Sequence, residues 1–406
     1  MGASELSMST RRLLSVIAIA TTTIVSPPAS AQMPAGWKDF TKLFQSYVDG
    51  DKIVGASVVA VRAGKETARY DTGLADRSAS VRVDSQTIFH WGSITKSLTA
   101  ISIMQLRDRG KLSLDDKIVK WVPELHAMHD PYNMMDSITI RMVMSHTAGF
   151  QNPTWPYGND EPWEPFEPTT WNQLVAMMPY QQLVFKPGSR YGYSNPGFIY
   201  LARVIEHITG DPWDAYVQKN IFAPLGMDRS YFRATPYYLA SHRSHNYYVR
   251  RDSTSPASPK LIDNGADFDP GITSPNGAWN APVSDLVKYV AFLTNALVPG
   301  MTRERYDVVL SRASLQEMWK PGLPMSQGYE SSPNEWMGLS FFVLDRNGQR
   351  ILGHTGSQAG FRSFYYFDPE TQAAVIAVFN TANLAAPAVT IQRQMNEAAL
   401  TLLKRG

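Results

Sequence analysis

His90-Trp91-Gly92-Ser93-Ile94-Thr95-Lys96 is the stretch on which the reading of this chain turns. It leads into an apolar segment where Ile94, Leu98, Ile101 and Met104 recur at helical spacing, and Gly110 stands where a glycine stop belongs. Ser93 is therefore expected in the first turn of a helix, with Lys96 one turn above it on the same face. A serine there most often caps the helix. It can also be a nucleophile, because the lysine offers a base and the helix N-terminus favours developing negative charge. On its own the Ser-x-x-Lys pattern is weak, since about one is expected by chance in a chain this long. This is the only one present.

The 406 residues can bury a large core as one large domain or two or three smaller ones. An apolar content of 44% and a charged content of 18% describe a globular protein, neither disordered nor coiled-coil. The net charge of +2 gives no electrostatic case for nucleic acid or an anionic membrane surface. Residues 1–31 read as a signal peptide: Arg11 and Arg12, an apolar run from Leu13 to Val25, then Ala29-Ser30-Ala31 for cleavage before Gln32. The run is too short to span a bilayer comfortably, so no stable membrane insertion is expected once it is removed. Its loss takes away Arg11, Arg12 and Glu5 and leaves a charge of +1. The chain has no cysteine, which excludes disulfides, a thiol nucleophile, thiolate metal sites and a lipidated cysteine anchor. These features predict a periplasmic or secreted protein stabilised by its core.

Trp37 to Val48 has helical periodicity, Lys52 to Arg62 reads as a buried strand, and Glu66 to Thr72 as its hairpin partner across Ala63-Gly64-Lys65. Val81 to Phe89 is an extended approach to Ser93. Leu112 to Asp116 opens a short helix that stops at Pro123, and Thr139 opens another through Met144, closing on Ser145-His146-Thr147-Ala148-Gly149. Gln151 to Thr170 reads as a long surface loop. Its aromatics Trp155, Tyr157, Trp163 and Phe166, with Trp171 beyond, either pin it to the body or wall a pocket. Phe198 to Thr209 and Asp211 to Asn220 are helices, Tyr237 to Asp269 is loop, and Ser284 caps a further helix. Met337 to Leu344, Arg350 to His354, Phe361 to Phe367 and Ala373 to Phe379 are strands joined by hairpin turns, and Ala386 to Leu403 closes as a helix. The expected fold is α+β: an antiparallel sheet flanked by helices, built from both termini, with an all-helical insertion. Residues 32–406 would form one catalytic domain, with a sheet lobe of about 32–92 and 285–406 and a helical lobe of about 93–284.

Two stretches complete a set with Ser93 and Lys96. Tyr193-Ser194-Asn195 follows the Pro187-Gly188 turn at a loop-to-helix junction, and His354-Thr355-Gly356-Ser357 ends a predicted strand. Tyr157-Gly158-Asn159 is a second Tyr-x-Asn, but a junction is a firmer platform than a long polar loop. In this order the three stretches resemble the serine β-lactamase and penicillin-binding superfamily, and most of all its class C-like branch with related D-alanyl carboxypeptidases and esterases. The resemblance extends over essentially the whole mature chain and includes Gly110 to Asp116 and Ser145 to Gly149.

That resemblance implies Ser93 as the acylating nucleophile and Lys96 and Tyr193 as partners in proton transfer. It implies Asn195 as an orienter of Lys96 and substrate, His354, Thr355 and Gly356 as the substrate-binding strand, and the N–H groups of Ser93 and Ser357 as the oxyanion hole. No cofactor and no metal is implied. A hydroxyl needs a base, and a lysine or tyrosine serves only with a depressed pKa. His354 stands where β-lactamases of this branch usually carry lysine, and an unperturbed histidine is mostly neutral at pH 7. With the aromatic loop this favours a small-molecule ester or amide substrate over a β-lactam or a D-alanyl-D-alanine peptide. A catalytically idle binding protein is the reading from another class.

Other sites are poorly supported. No Gly-x-Ser-x-Gly occurs. His126/His129 and His242/His245 lack the glutamate of a His-Glu-x-x-His and read as exposed histidines, and His146 reads as structural.

Overall fold

Val58, Val59, Ala60 and Val61 are apolar in succession because both faces of their strand are covered. The computed structural model describes Met1 and residues 33–154, 168–250, 259–325, 334–384 and 389–403. The signal segment and the aromatics Trp155, Tyr157, Trp163 and Phe166 lie outside the described residues. The main sheet has β1 (Gly55–Arg62), β2 (Lys65–Asp76), β3 (Val81–Arg82), β4 (Glu335–Met337), β5 (Phe342–Arg346), β6 (Gln349–Gln358), β7 (Phe361–Asp368) and β8 (Ala373–Phe379). Its order is β3-β2-β1-β8-β7-β6-β5-β4, antiparallel at each pairing. The seam from Ala56↔Phe379 to Arg62↔Ala373 joins the two ends of the chain, as expected from the sequence.

The helices that matter are α1 (Trp37–Gly50), α2 (Thr95–Asp108), α3 (Pro196–Thr209), α4 (Val283–Thr294) and α5 (Val389–Thr401). Val58 and Ala60 cluster with Phe40 and Phe44 of α1 and Met395 and Ala399 of α5. Val59 and Val61 share the other core with Leu286 and Val290 of α4. Each fully buried valine, leucine, phenylalanine or methionine among them contributes about 1.5–3 kcal/mol. Helix α2 is enclosed from Thr95 to Leu106. Its hydroxyls stay satisfied: Ser97 donates to the Ile94 carbonyl (2.8 Å), Ser102 to Leu98 (2.9 Å) and Thr99 to Pro275 (2.7 Å).

Several expectations are corrected. Tyr237 to Asp269 is not all loop: Tyr247–Arg250 and Lys260–Asp263 form a three-stranded sheet with Thr381–Asn383. The insertion is therefore not wholly helical. Leu112 to Asp116 makes a turn closed by Asp116 N–H to the Ser113 carbonyl (3.1 Å) rather than a helix, and its carbonyls serve a neighbour, Leu114 accepting from Arg141 N–H and Asp116 from Ile140 N–H. The helical turn that follows is a single 3-10 turn, Ile118–Lys120, and Pro123 begins another, Pro123–Ala127, rather than ending a helix. Met337 to Leu344 breaks into two strands around a tight turn closed by Gly338 N–H to Phe341 O at 2.8 Å, with Ser340 left-handed at φ 68°. Ser284 does not cap α4, whose N-cap is Pro282. His245 is half-buried between Asp76 (3.5 Å) and Asp263 (3.1 Å), whereas His126 is exposed beside Asp136 as expected. Thr139 does cap its helix, accepting from Met142 N–H. Among the described residues no helix is long and apolar enough to cross a membrane.

Candidate active site

From Thr87 to Leu106 every residue except Ser93 is buried. Ser93 sits in a 3-10 turn, Gly92–Ile94, that feeds α2, and its side chain makes no capping hydrogen bond. The capping explanation is thereby removed. The turn is fixed by Trp91, which receives Ser363 Oγ–H on its carbonyl (3.0 Å) and donates Nε1–H to the Ala281 carbonyl (2.9 Å). Thr95 Oγ1 donates to the Gly92 carbonyl (2.7 Å) and accepts the Trp279 N–H (3.0 Å).

Lys96 is fully buried, with Nζ 3.1 Å from Ser93 Oγ, 2.8 Å from Asn195 Oδ1 and 2.8 Å from the Asn276 carbonyl oxygen. Burial pushes its pKa well below the ordinary lysine value. In its neutral form the amine has two N–H bonds for the two carbonyl acceptors and a lone pair left for the Ser93 hydroxyl.

Tyr193 is half-buried on the approach to α3, and Lys96 Nζ lies 5.0 Å from the centre of its ring. Its other face contacts come from His146, stacked at 4.3 Å, and from His354 at 6.3 Å. Asn195 is the N-cap residue of α3 and donates Nδ2–H to Asn152 Oδ1 (3.2 Å) while receiving Lys96.

Strand β6 supplies the third wall. Side chains alternate along it, so His354 faces inward while half-buried Thr355 and exposed Ser357 face outward. A Cβ added to Gly92 would lie 2.7 Å from Ser357 N, and one added to Gly356 would lie 2.0 Å from the Trp91 carbonyl oxygen. These approaches set the Ser357 N–H beside the start of α2, where the Ser93 N–H has no intrahelical acceptor. Two such donors on one side of a nucleophile can hold an oxyanion.

The His354 side chain is enclosed rather than exposed. It is buried and stacked on Phe342 (4.4 Å, 17°), and Nδ1–H donates to the Thr355 carbonyl at 2.5 Å. Burial pushes its pKa down to about 3, so it is neutral at ordinary pH.

The structure thus brings Ser93, Lys96, Tyr193 and Asn195 together, sets Gly356 and Ser357 of β6 against the turn that carries Ser93, with Thr355 beside them on the strand, and leaves His354 buried next to Tyr193. Sequence reasoning missed the Asn276 carbonyl, for which no side-chain pattern exists. It also missed Gln358, whose Oε1 lies 3.2 Å from His90 Nε2 while its Nε2 donates to Thr273 (3.3 Å), tying β6 to the segment that holds Lys96. His146 was visible only as a turn residue.

The family model described as β-lactamase matches residues 40–400. "Protein flp" of Staphylococcus aureus (strain COL) is 22% identical over 328 residues, covering 81% of this chain and 60% of that protein. The chain thus spans less than two thirds of the length of that curated relative. Among solved structures, the octameric penicillin-binding protein homologue from Pyrococcus abyssi superposes with a TM-score of 0.71 at 25% identity, over 91% of this chain and 78% of that one. The D-amino acid amidase from Ochrobactrum anthropi SV3 gives 0.69 at 21% identity, over 90% and 98%. A class C β-lactamase gives 0.68 at 20% identity, over 91% and 96%. With most of its length matched by the family model and its fold shared with these structures, the chain belongs to the β-lactamase family of serine hydrolases.

Proposed function

We propose that this protein is an exported hydrolase of carboxylic esters or amides that works through an acyl-enzyme on Ser93. The observation that carries this reading is the fully buried Lys96 amine, 3.1 Å from Ser93 Oγ and held by two carbonyl oxygens. In the reaction Lys96 Nζ takes the Ser93 proton as Oγ bonds to the substrate carbonyl carbon, and the carbonyl electron pair moves onto oxygen. The Ser93 and Ser357 N–H groups receive that oxyanion, each donor being worth roughly 2.7–4 kcal/mol of barrier in comparable sites. Collapse expels the alcohol or amine, which takes up a proton from the Lys96–Tyr193 pair. Water then cleaves the Ser93 ester by the same steps, releasing the acid.

The neutral, buried His354 supports neutral substrates, because it presents no cation to a substrate carboxylate. An amide substrate gains support from the fold shared with the D-amino acid amidase. The basic, apolar and small-residue pattern of residues 1–31 supports export to the periplasm or medium. Intact-mass spectrometry after treatment with a fluorophosphonate should show one adduct, on Ser93, and none in Ser93→Ala. Absence of an adduct on Ser93 would sink the reading. A panel of p-nitrophenyl esters, amino-acid amides, nitrocefin and D-Ala-D-Ala peptides then ranks the substrates. The exported form should begin at Gln32.

A further inference from the structure

Residues 186–195 form neither helix nor strand, so the conformation of Tyr193 has to be imposed by its surroundings. The turn at residues 146–152 provides the template. Gly188 N–H donates to the Thr147 carbonyl (2.8 Å), Gly192 N–H to the His146 carbonyl (2.8 Å) and Asn195 N–H to the Asn152 carbonyl (3.2 Å). A further bond runs from Ser194 N–H to His146 Nδ1 (3.0 Å). The backbone on both sides of Tyr193 is therefore hooked to one residue. The same residue's ring stacks on the phenol ring, with centroids 4.3 Å apart and planes at 25°. His146 holds this position in the left-handed region, at φ 56°, a conformation in which only glycine and a few polar residues are comfortable.

Building on the acyl-enzyme reading, we propose that His146 is a positioning residue that fixes the Tyr193 ring against Lys96. The bond from Ser194 requires Nδ1 to be a bare acceptor, which assigns the proton to Nε2 and makes the ring neutral. The groups facing the imidazole are the Tyr191, Tyr193 and Phe198 rings, with Lys96 and His354 close enough to act through charge. A proton on Nδ1 would eject Ser194 N–H and set a cation beside Lys96. Burial, then Lys96, then His354 hold the imidazole well below its usual pKa. A neutral flat ring in this place orients the phenol without adding charge to the proton-transfer pair. It also keeps water from the Lys96 amine.

Two variants test the assignment. His146→Asn keeps an acceptor where Nδ1 stands and tolerates the left-handed backbone, but removes the stacked ring; His146→Ala removes both. Counting Ser93 sites with a fluorophosphonate takes misfolded protein out of the comparison. With p-nitrophenyl butyrate, kcat per titrated site should fall roughly tenfold or more in His146→Asn, with KM within about twofold, and further in His146→Ala. The acid limb of kcat/KM should move to higher pH in both, because admitted water raises the Lys96 pKa towards its ordinary value. If both variants keep the wild-type kcat per site and an unmoved acid limb, His146 is packing alone and the inference is wrong, whatever happens to Tm. A wild-type protein that does not label on Ser93 would bring down the acyl-enzyme reading and this inference with it.

Discussion

Lys96 Nζ and the Asn276 carbonyl oxygen lie 2.8 Å apart in the interior, and that contact takes up one N–H of the amine. Asn195 Oδ1, also at 2.8 Å, takes the second N–H, so the remaining direction points to Ser93 Oγ at 3.1 Å. Replacing Lys96 by methionine keeps the length of the side chain and deletes the base. Loss of general-base catalysis should lower kcat/KM for p-nitrophenyl esters by about 10²–10⁴. Each carbonyl oxygen left without a donor costs about 1–3 kcal/mol, partly offset because a desolvated amine is no longer buried. Tm should therefore move by only a few degrees. Activity retained above roughly a tenth of wild type would show that another group takes the proton.

Gly92→Ala tests the oxyanion geometry. Gly92 is left-handed at φ 55°, and an added methyl would meet Ser357 N at 2.7 Å. The crowding should cost about 1–3 kcal/mol of stability. Displacing the Ser357 donor should lower kcat by about 10²–10³. Denaturant unfolding and steady-state kinetics on the same preparation separate the two effects. Wild-type kcat in a destabilised protein would remove Ser357 from the proposed pair.

Tyr193→Phe should lose far more activity than Tyr157→Phe. Tyr193 lies against Lys96, with the Nζ–ring distance at 5.0 Å, and its loop is fixed on both sides. Tyr157 lies outside the described residues. The measurement is kcat/KM for one ester in both variants, and equal losses would reassign the tyrosine.

Much of this site was legible in the sequence because its parts obey local rules. A serine and lysine three apart at a helix start must share a face, and a Pro-Gly turn before a helix sets Tyr193 and Asn195 at a junction. The strand bearing His354 announced itself through its Asn347-Gly348 turn. What stayed hidden was long-range. Tyr247–Arg250 pairs with Thr381–Asn383, 134 positions on for the Tyr247↔Thr381 pair, and nothing in the polar stretch around it signals a partner. The Asn276 carbonyl is backbone, and the burial of His354 depends on Phe342 from the adjacent strand.

Acid should destabilise the fold steeply. His90, His146 and His354 are buried, with His90 pushed down to about 4, His354 to about 3 and His146 well below its usual value, burial being the main cause of each. Their unfolded forms titrate near 6.5. Between that value and the depressed ones the unfolded chain binds protons that the folded chain refuses, so stability rises with pH. The contribution is complete above about pH 6.5 and is lost as pH falls towards the folded values. Each histidine gives a slope of up to about 1.4 kcal/mol per pH unit. Lys96, also depressed, extends the rise above neutrality towards the ordinary lysine value. Urea unfolding at pH 5, 7 and 8.5 should show the largest loss from 7 to 5. A free energy unchanged to within about 1 kcal/mol over that interval would mean that these histidines are open to solvent.

The state of His354 also predicts which substrates are refused. An accessible histidine with an ordinary pKa would become a cation below pH 6.5 and attract a substrate carboxylate. Here the ring is stacked on Phe342, its Nδ1–H is committed to the Thr355 carbonyl, and its pKa is pushed down to about 3. A carboxylate brought to β6 would meet the Thr355 and Ser357 side chains and backbone N–H groups, with no charge from His354. The matched comparison is a D-Ala-D-Ala peptide against its C-terminal amide, with release of the terminal residue followed from pH 8 to pH 5.5. The amide should be favoured by roughly tenfold, the factor corresponding to about 1.4 kcal/mol. The ratio should stay level as pH falls through 6.5, because both substrates share the same Ser93 and Lys96 and differ only in the carboxylate. A selective gain for the carboxylate peptide below pH 6.5 would mean that His354 takes up a proton and reaches the substrate, and it would move the protein towards the carboxypeptidase reading.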